Sequence, residues 1–580
     1  MDEQKRLFMA IILSIVVIAG WNILFVGPET NQQQSQVGSA SKPGMEDKTG
    51  LPAGSVVADF SPTNISNTGT ASDGSSALSD IGKEEASREV TDFREIKVAT
   101  PIYDIIISEK QAAVTSLVLK MFKEGTQEDS PYKQMIAPEL DAGLFSMDLE
   151  GKSIQGLDTA IFKSDNELTE FSLNDGQKKI SFSWTSPHGI IVEKIYTFSA
   201  STYLIGLDIL IKNASSMPLK DSVEISMPFA LSEEGAAFSQ FGAYGPEAYI
   251  NGTLEAVTPN DIRENARENK SDKNRLQGKV EWAGNGDRYF ISCIIPVNPV
   301  ESAIKLSGTD SFVITRYVQS VERLDSGKQI QLSFNCYMGP KSLKVLSEYD
   351  NSLKKAINFG WFDILAKPCL IGMNLIHDFI PNYGIAIIIL TILIKLAFWP
   401  LGTKSYKSMN DMRKLQPIMN QIREKYKDDK QRMNQEVMNL YKTYKVNPMS
   451  GCLPMLVQMP IFFALYRMLY QAIELRHAPF MGWINDLSAP DRLFSFDLAI
   501  PFMHAPYGIP VLTIIMGASM FLQQKMAPAI GDPTQAKIMM FMPLFMTVIF
   551  INFPSGLVLY WLVNNLISIG QQYYIQRKFL

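Results

Sequence analysis

The chain has 580 residues, with 54 lysines and arginines against 59 aspartates and glutamates and a pI near 5.7. That balance excludes a general nucleic-acid binder, and four scattered cysteines without a CxxC exclude a disulfide scaffold. The averages, 46% hydrophobic and 19% charged with a mean hydropathy of +0.01, conceal a split: residues 30–350 are polar and mixed, whereas residues 351–580 hold long apolar runs.

Residues 7–26 read LFMAIILSIVVIAGWNILFV, preceded by Lys5 and Arg6. About 20 residues rising 1.5 Å each cover a ~30 Å hydrocarbon core. The basic flank places the N-terminus inside. The run is longer than the apolar part of a cleaved signal, and no A-x-A site follows it. Residues 1–27 are therefore expected to be an uncleaved signal anchor, with the following chain exported.

Residues 28–94, rich in Gln, Ser, Thr, Gly and Asp, predict a flexible tether, because they cannot bury enough apolar surface to fold. Residues 95–350 change character. Alternating, β-branched segments such as IIVEKIYTFSA and TYLIGLDILIKN, separated by Gly, Asn, Pro and Ser, predict an all-β sandwich. The stretch 235–273 reads as long loops. Gly151-Lys152-Ser153 has the end of a phosphate-binding loop, but Ser146 stands where its first glycine is needed. No GxSxG is present. The scattered carboxylates leave a glycosidase unsupported. The domain reads as a binding or spacer unit.

Residues 351–382 are apolar but interrupted by Lys354, Lys355, Asp363, Lys367, His377 and Asp378, which predicts an interfacial amphipathic helix bent at Pro368. Five spanning candidates follow, at 383–401, 452–472, 507–523, 538–553 and 557–574. With the anchor they predict a polytopic α-helical membrane protein with six transmembrane helices and both termini inside. Loop charge agrees with that topology. Eleven basic and five acidic residues lie between Lys404 and Lys445, whereas the segment from Glu474 to Pro506 has two basic and four acidic residues.

The basic loop has a helical period. Met409, Met412, Leu415, Ile418 and Ile422, then Met433, Val437, Leu440 and Tyr444, predict a helical hairpin over 404–446, broken at Asp428-Asp429. Its basic surface suits lipid headgroups, and such a hairpin could also meet ribosomal RNA or a targeting receptor.

Lys395, in ILTILIKLAFW, is the most informative residue. A lysine at depth costs about 2.5–3.5 kcal/mol on insertion scales. Helical side chains tilt toward the helix N-terminus, so snorkelling to the nearer, cytoplasmic interface works against that tilt. A water-filled functional cavity is the favoured expectation. Thr391 lies one turn away on the same face. Gln458 in the next span, and Asn564, Asn565 and Ser568 in the last, are further candidates. No carboxylate lies deep in a span, which weighs against a proton-coupled transporter. The four histidines form no HExxH pattern, and no metal or cofactor is expected.

These features resemble the YidC family of bacterial membrane-protein insertases. The motifs that carry the resemblance include Trp399-Pro400-Leu401, Met412-Arg413-Lys414-Leu415-Gln416-Pro417 and Lys445-Val446-Asn447-Pro448. Gly451-Cys452-Leu453-Pro454, Gln458-Met459-Pro460-Ile461-Phe462 and Phe553-Pro554-Ser555-Gly556-Leu557 add to them. The resemblance implies a five-helix insertase core over 383–580 around a hydrophilic groove, and a periplasmic β-supersandwich. The family's groove residue, usually Arg, corresponds to Lys395, and its paired aromatics to Tyr560 and Trp561. With Thr391, Gln458 and Asn564 these make the expected groove. Met412, Arg413, Lys414, Gln416 and Pro417 mark the hairpin.

The implied function is non-enzymatic. Hydrophilic segments of nascent membrane proteins would enter the groove from the cytoplasm and apolar segments would leave into lipid. The implied setting is the inner membrane, with residues 28–382 periplasmic. The implied partners are nascent membrane proteins, the Sec translocon, the bilayer, and the ribosome or a targeting receptor; no specific nucleic-acid sequence is implied. A secondary transporter or channel with an intramembrane lysine is the alternative, but it predicts an internal repeat, which is not seen. A membrane-anchored β-sandwich enzyme acting on envelope sugars is a third reading.

Overall fold

The structure, a computed structural model, describes residues 93–140, 143–232, 244–349, 352–444, 446, 453–526 and 533–579. The expected anchor, 1–27, lies outside the described residues, as does nearly all of the expected tether, 28–94.

Residues from Glu95 to Pro340 form the β-sandwich. Its smaller sheet runs in the order Tyr132–Gln134, Ala113–Lys123, Tyr103–Ser108, Glu95–Ala99 and Glu170–Ser172. The larger follows Ser146–Leu149, Ser222–Ala230, Phe312–Ser320, Glu301–Gly308, Arg275–Gly286, Phe290–Pro296, Gln329–Pro340, Leu204–Asn213, Ile190–Ser199, Gln177–Thr185 and Lys163–Ser164. Apolar side chains of both sheets, Ile96 and Ile105 from the small and Val192 and Leu207 from the large, share one core. Alternation drives this packing. Ile190–Ser199 buries every second residue, as a strand with one face on a core must.

The central strand Arg275–Gly286 changes partners along its length. Its first half pairs with Glu301–Gly308, its second with Phe290–Pro296 and with Gly245–Ile250. Gly278 lies in this strand at φ +150, and a Cβ there would run into the Asn251 side chain.

Two sequence features resolve differently from a plain reading. The stretch 235–273, expected to be long loops, contains the hairpin Gly245–Ile250/Thr253–Ala256 and helix α1 (Pro259–Arg267); residues 233–243 lie outside the described residues. Thr258 starts α1 by accepting from the Asp261 amide, with Pro259 in the first turn, so local capping outweighs the polar composition. At Gly151–Ser153 the turn amides are occupied by a carboxylate of the chain itself. Gly151 N donates to Asp221 Oδ1 at 2.7 Å and Ser153 N to Oδ2 at 3.2 Å.

After the short helix α2 (Leu343–Ser347), the expected interfacial helix over 351–382 is two 3₁₀ turns, Leu353–Ala356 and Gly360–Phe362, and then α3 (Asp363–Phe379). Ala366, Leu370 and Met373 form its buried stripe, while Ile364 and Phe379 stand exposed, as does Trp361 just before it. The remaining helices are α4 (Tyr383–Ala397), α5 (Trp399–Lys425), α6 (Lys430–Thr443), α7 (Leu453–Gln471), α8 (Val511–Met526), α9 (Pro533–Phe550) and α10 (Ser555–Phe579).

The expected span 383–401 is broken at Phe398, where the chain bends by 64° into α5 with Pro400 in the new first turn. The expected span 507–523 loses its start. Tyr507–Ile509 is a strand paired with Leu493–Phe496, and helix begins only after Pro510, whose fixed φ suits a helix start but whose missing N–H cannot continue one. Among the described residues no single helix is long and apolar enough to cross a membrane, while α4 and α5 qualify together as a bent pair. The reasons are local: α4 and α8 are short, and α10 carries Asn564, Asn565, Gln571 and Gln572.

The β-sandwich and the helices share a second core. Trp282, Ile291, Cys293 and Tyr337 pack with Leu346, Ala366, Leu465, Leu469 and Leu475. Arg288 pins the junction, its guanidinium 4.0 Å from the Tyr470 ring centre and 4.6 Å from that of Tyr289.

Candidate substrate groove

Helix α4 is apolar from Ile385 to Ile394 apart from Thr391, and Lys395 falls in its last turn, just before the bend. The Lys395 ammonium donates to Ser568 Oγ at 2.9 Å. That hydroxyl donates in turn to the Asn564 carbonyl, one turn earlier in α10, at 2.7 Å. The Asn564 side-chain oxygen accepts from Gln458 Nε2 of α7 at 2.8 Å. One polar string thus joins α4, α10 and α7. It unites Lys395, Gln458 and Asn564 through Ser568.

Thr391 does not join the string. It is buried and donates to the Ile387 carbonyl of its own helix at 2.6 Å, satisfying itself locally. Tyr560 and Trp561 sit in an aromatic cluster, and the Tyr560 hydroxyl also hydrogen-bonds the Gln458 side chain at the α7 end of the string. The Trp561 ring meets Phe462 edge-on at 4.6 Å and Phe550 at 4.8 Å, and Tyr560 stacks on Phe462 at 6.4 Å. The cluster forms an apolar wall beside the string.

Gln571 was not singled out from the sequence. Gln571 Nε2 donates to the Trp399 carbonyl at 3.0 Å, just past the bend, an oxygen that also accepts from Thr403 Oγ1 at 2.9 Å. Asn565 Nδ2 donates to Ser519 Oγ of α8 at 3.2 Å. The signal was available, since Asn564, Ser568 and Gln571 recur at i, i+4 and i+7 on one face of α10.

The hairpin is built from α5 and α6. Asp429 caps α6 by accepting from the Arg432 amide at 3.0 Å, so the Asp428-Asp429 break is also a helix start. Leu415, Ile418, Met419 and Ile422 pack with Val437, Leu440 and Tyr441, whereas Tyr444, expected in the seam, is exposed. Met412 is buried on α5, Arg413, Lys414 and Pro417 are exposed, and Gln416 is half-buried. Pro417 lies inside the helix and removes one backbone donor. Arg413 also lines a cleft with Tyr406, Asn410, Gln572 and Gln576, between α5 and the end of α10.

At the opposite end of the helices, Asp491 is buried. It accepts from Trp483 Nε1 at 2.6 Å and from the Thr513 amide at 3.3 Å, placing an anion at the N-terminus of α8. Arg492 donates to the Ile551 carbonyl at 2.8 Å, just beyond α9. Among the described residues no group of three or more His, Cys, Asp or Glu side chains could hold a metal ion.

Residues 95–371 match the family model "YidC periplasmic domain", and residues 375–580 match "60Kd inner membrane protein". The membrane protein insertase YidC of Syntrophobacter fumaroxidans is 38% identical over 589 residues, covering 99% of this chain and 100% of its own. That of Syntrophus aciditrophicus is 41% identical over 488 residues, 84% and 85% of the two chains. The solved structure of an active YidC insertase with its first transmembrane domain resolved is 18% identical. It covers 84% of this chain and 93% of that one, at a TM-score of 0.35. The sequence matches carry the family assignment.

Proposed function

The chain belongs to the YidC family of membrane protein insertases, which places it in the inner membrane, and from that premise we propose how its groove works. A hydrophilic segment of a nascent membrane protein enters from the cytoplasmic side and meets Lys395 and the polar string behind it. The string exchanges hydrogen bonds with the segment, which lowers the cost of taking polar groups out of water. The apolar part of the substrate then moves along the exposed faces of α8 and α9 into lipid, driven by the hydrophobic effect. The basic hairpin receives the substrate, alone or beside the Sec translocon, and meets the ribosome or a targeting receptor. In this reading the anchor and five core segments span the membrane, the bent α4–α5 pair among them. Both termini are cytoplasmic and residues 28–382 periplasmic.

The observation that carries the reading is the string from Lys395 through Ser568 and Asn564 to Gln458, set among apolar helices. Buried polar groups at depth are expensive and are seldom kept without a task. The test is insertion of a small single-span protein into proteoliposomes holding only this chain. Wild type should yield protease-protected substrate, and both Lys395→Ala and deletion of 410–440 should fall toward empty liposomes. Full insertion by Lys395→Ala would remove the lysine from the mechanism.

A further inference from the structure

The connection between α7 and α8 ends in an apolar tip that nothing in the described chain covers. Phe494 and Leu498 are each 73% exposed and Phe502 is 80% exposed. Phe494 and Phe502 also hold φ angles of +53 and +66. A bulky side chain enters that region only at a conformational cost, and these two recover none of it by burial within the chain.

The tip is nevertheless held firmly. Leu493–Phe496 pairs with Tyr507–Ile509. Arg492 Nε donates to the Pro506 carbonyl at 2.8 Å. Asn552, just past α9, donates from Nδ2 to the Phe502 carbonyl at 2.8 Å and accepts from the His504 amide at 2.9 Å. The backbone that carries these side chains is thereby held beside the start of α8 and the end of α9.

Two observations select the occupant. Between Leu493 and Pro510 the only acidic or basic residues are Asp497 and His504. The tip is also continuous with an exposed apolar belt, Ile509, Ile514 and Ile515 on one side and Val548 and Ile549 on the other. We propose that Phe494, Leu498 and Phe502 form a wedge seated in the headgroup–acyl boundary of the periplasmic leaflet, fixing the depth of this end of the bundle. The proposal rests on the reading above that α8 and α9 span the membrane.

The test uses the full chain in phosphatidylethanolamine–phosphatidylglycerol vesicles, with nitroxides at Phe494→Cys or Phe502→Cys. References are Ile515→Cys in the belt and Ser495→Cys in the same hairpin. Cys369→Ala and Cys452→Ala clear the background, while Cys293 and Cys336 are fully buried. Positions 494 and 502 are exposed, so their substitution leaves the fold in place. Power saturation should show a several-fold excess of oxygen over nickel-chelate accessibility at 494 and 502, as at 515, and the reverse at 495. Nickel access at 494 and 502 with a lipid-exposed 515 would overturn the wedge and leave the spanning reading standing. Shielding of 494 and 502 from both reagents would assign the tip to a second copy of the chain and overturn the lipid proposal. A water-exposed 515 would overturn the spanning reading, and the wedge with it.

Discussion

Lys194 shows how much one side chain can organise. It occupies an inward position of Ile190–Ser199 and is 0% exposed. Its ammonium donates to the carbonyls of Gln111 (3.0 Å), Ala112 (2.7 Å) and Phe145 (2.7 Å). All three acceptors have left-handed backbone, with φ of 62°, 42° and 62°. Three ammonium hydrogens thus meet three carbonyls that strained turns aim inward. Lys194→Met leaves the Gln111 and Phe145 carbonyls without this donor, while Ala112 keeps the Tyr196 hydroxyl at 2.7 Å, and should cost about 2–5 kcal/mol, read from denaturant unfolding of the full chain. Burial pushes the ammonium down to about 7, against an ordinary value of 10.5. Between those values the unfolded chain holds a proton that the folded chain lacks. Stability should therefore rise with pH across that window and fall as pH drops through it, and Lys194→Met should remove that slope. Alternation in IIVEKIYTFSA already places Lys194 on the same face as Val192 and Tyr196. The carbonyls that make this tolerable lie 49 to 83 residues away and could not be read locally.

At the scale of elements, caps and close approaches decide the geometry. Asp429→Ala removes the α6 cap and should cost about 1 kcal/mol locally. Hydrogen exchange should quicken in the first turn of α6 and stay unchanged in α10. Gly517 lets α8 approach α9, since a Cβ there would run into the Thr547 hydroxyl. Gly517→Leu should lower the melting midpoint in detergent, at a cost of about 1–3 kcal/mol from overpacking. The hairpin was legible because its 3.6-residue period is local. The break at Phe398 and the strand before Pro510 were not, because apolar composition continues across both.

Over the whole molecule, the β-sandwich and the helical bundle share a core, so the two parts should unfold as one. Calorimetry of the full chain should show a single transition. Arg288→Ala, which removes the guanidinium from between Tyr289 and Tyr470, should lower its midpoint and speed hydrogen exchange around Gln471–Leu475, with about 1–2 kcal/mol at stake. Unchanged exchange there would reduce Arg288 to a surface contact.

Composition split, period-two strands and helical periods are properties of short stretches, so the β-sandwich, the helical half and the hairpin could be read from residue order alone, and Lys395 stood out as a lone charge in an apolar run. The motif series also carried the family. Which polar groups meet was decided only in three dimensions. Lys395, Ser568 and Asn564 come together because α4 and α10 pack side by side, and Gln458 because α7 brings it to α10. Thr391, by contrast, turns back on its own helix. Hydrogen bonds between residues more than a hundred positions apart depend on helix packing, which no local pattern encodes.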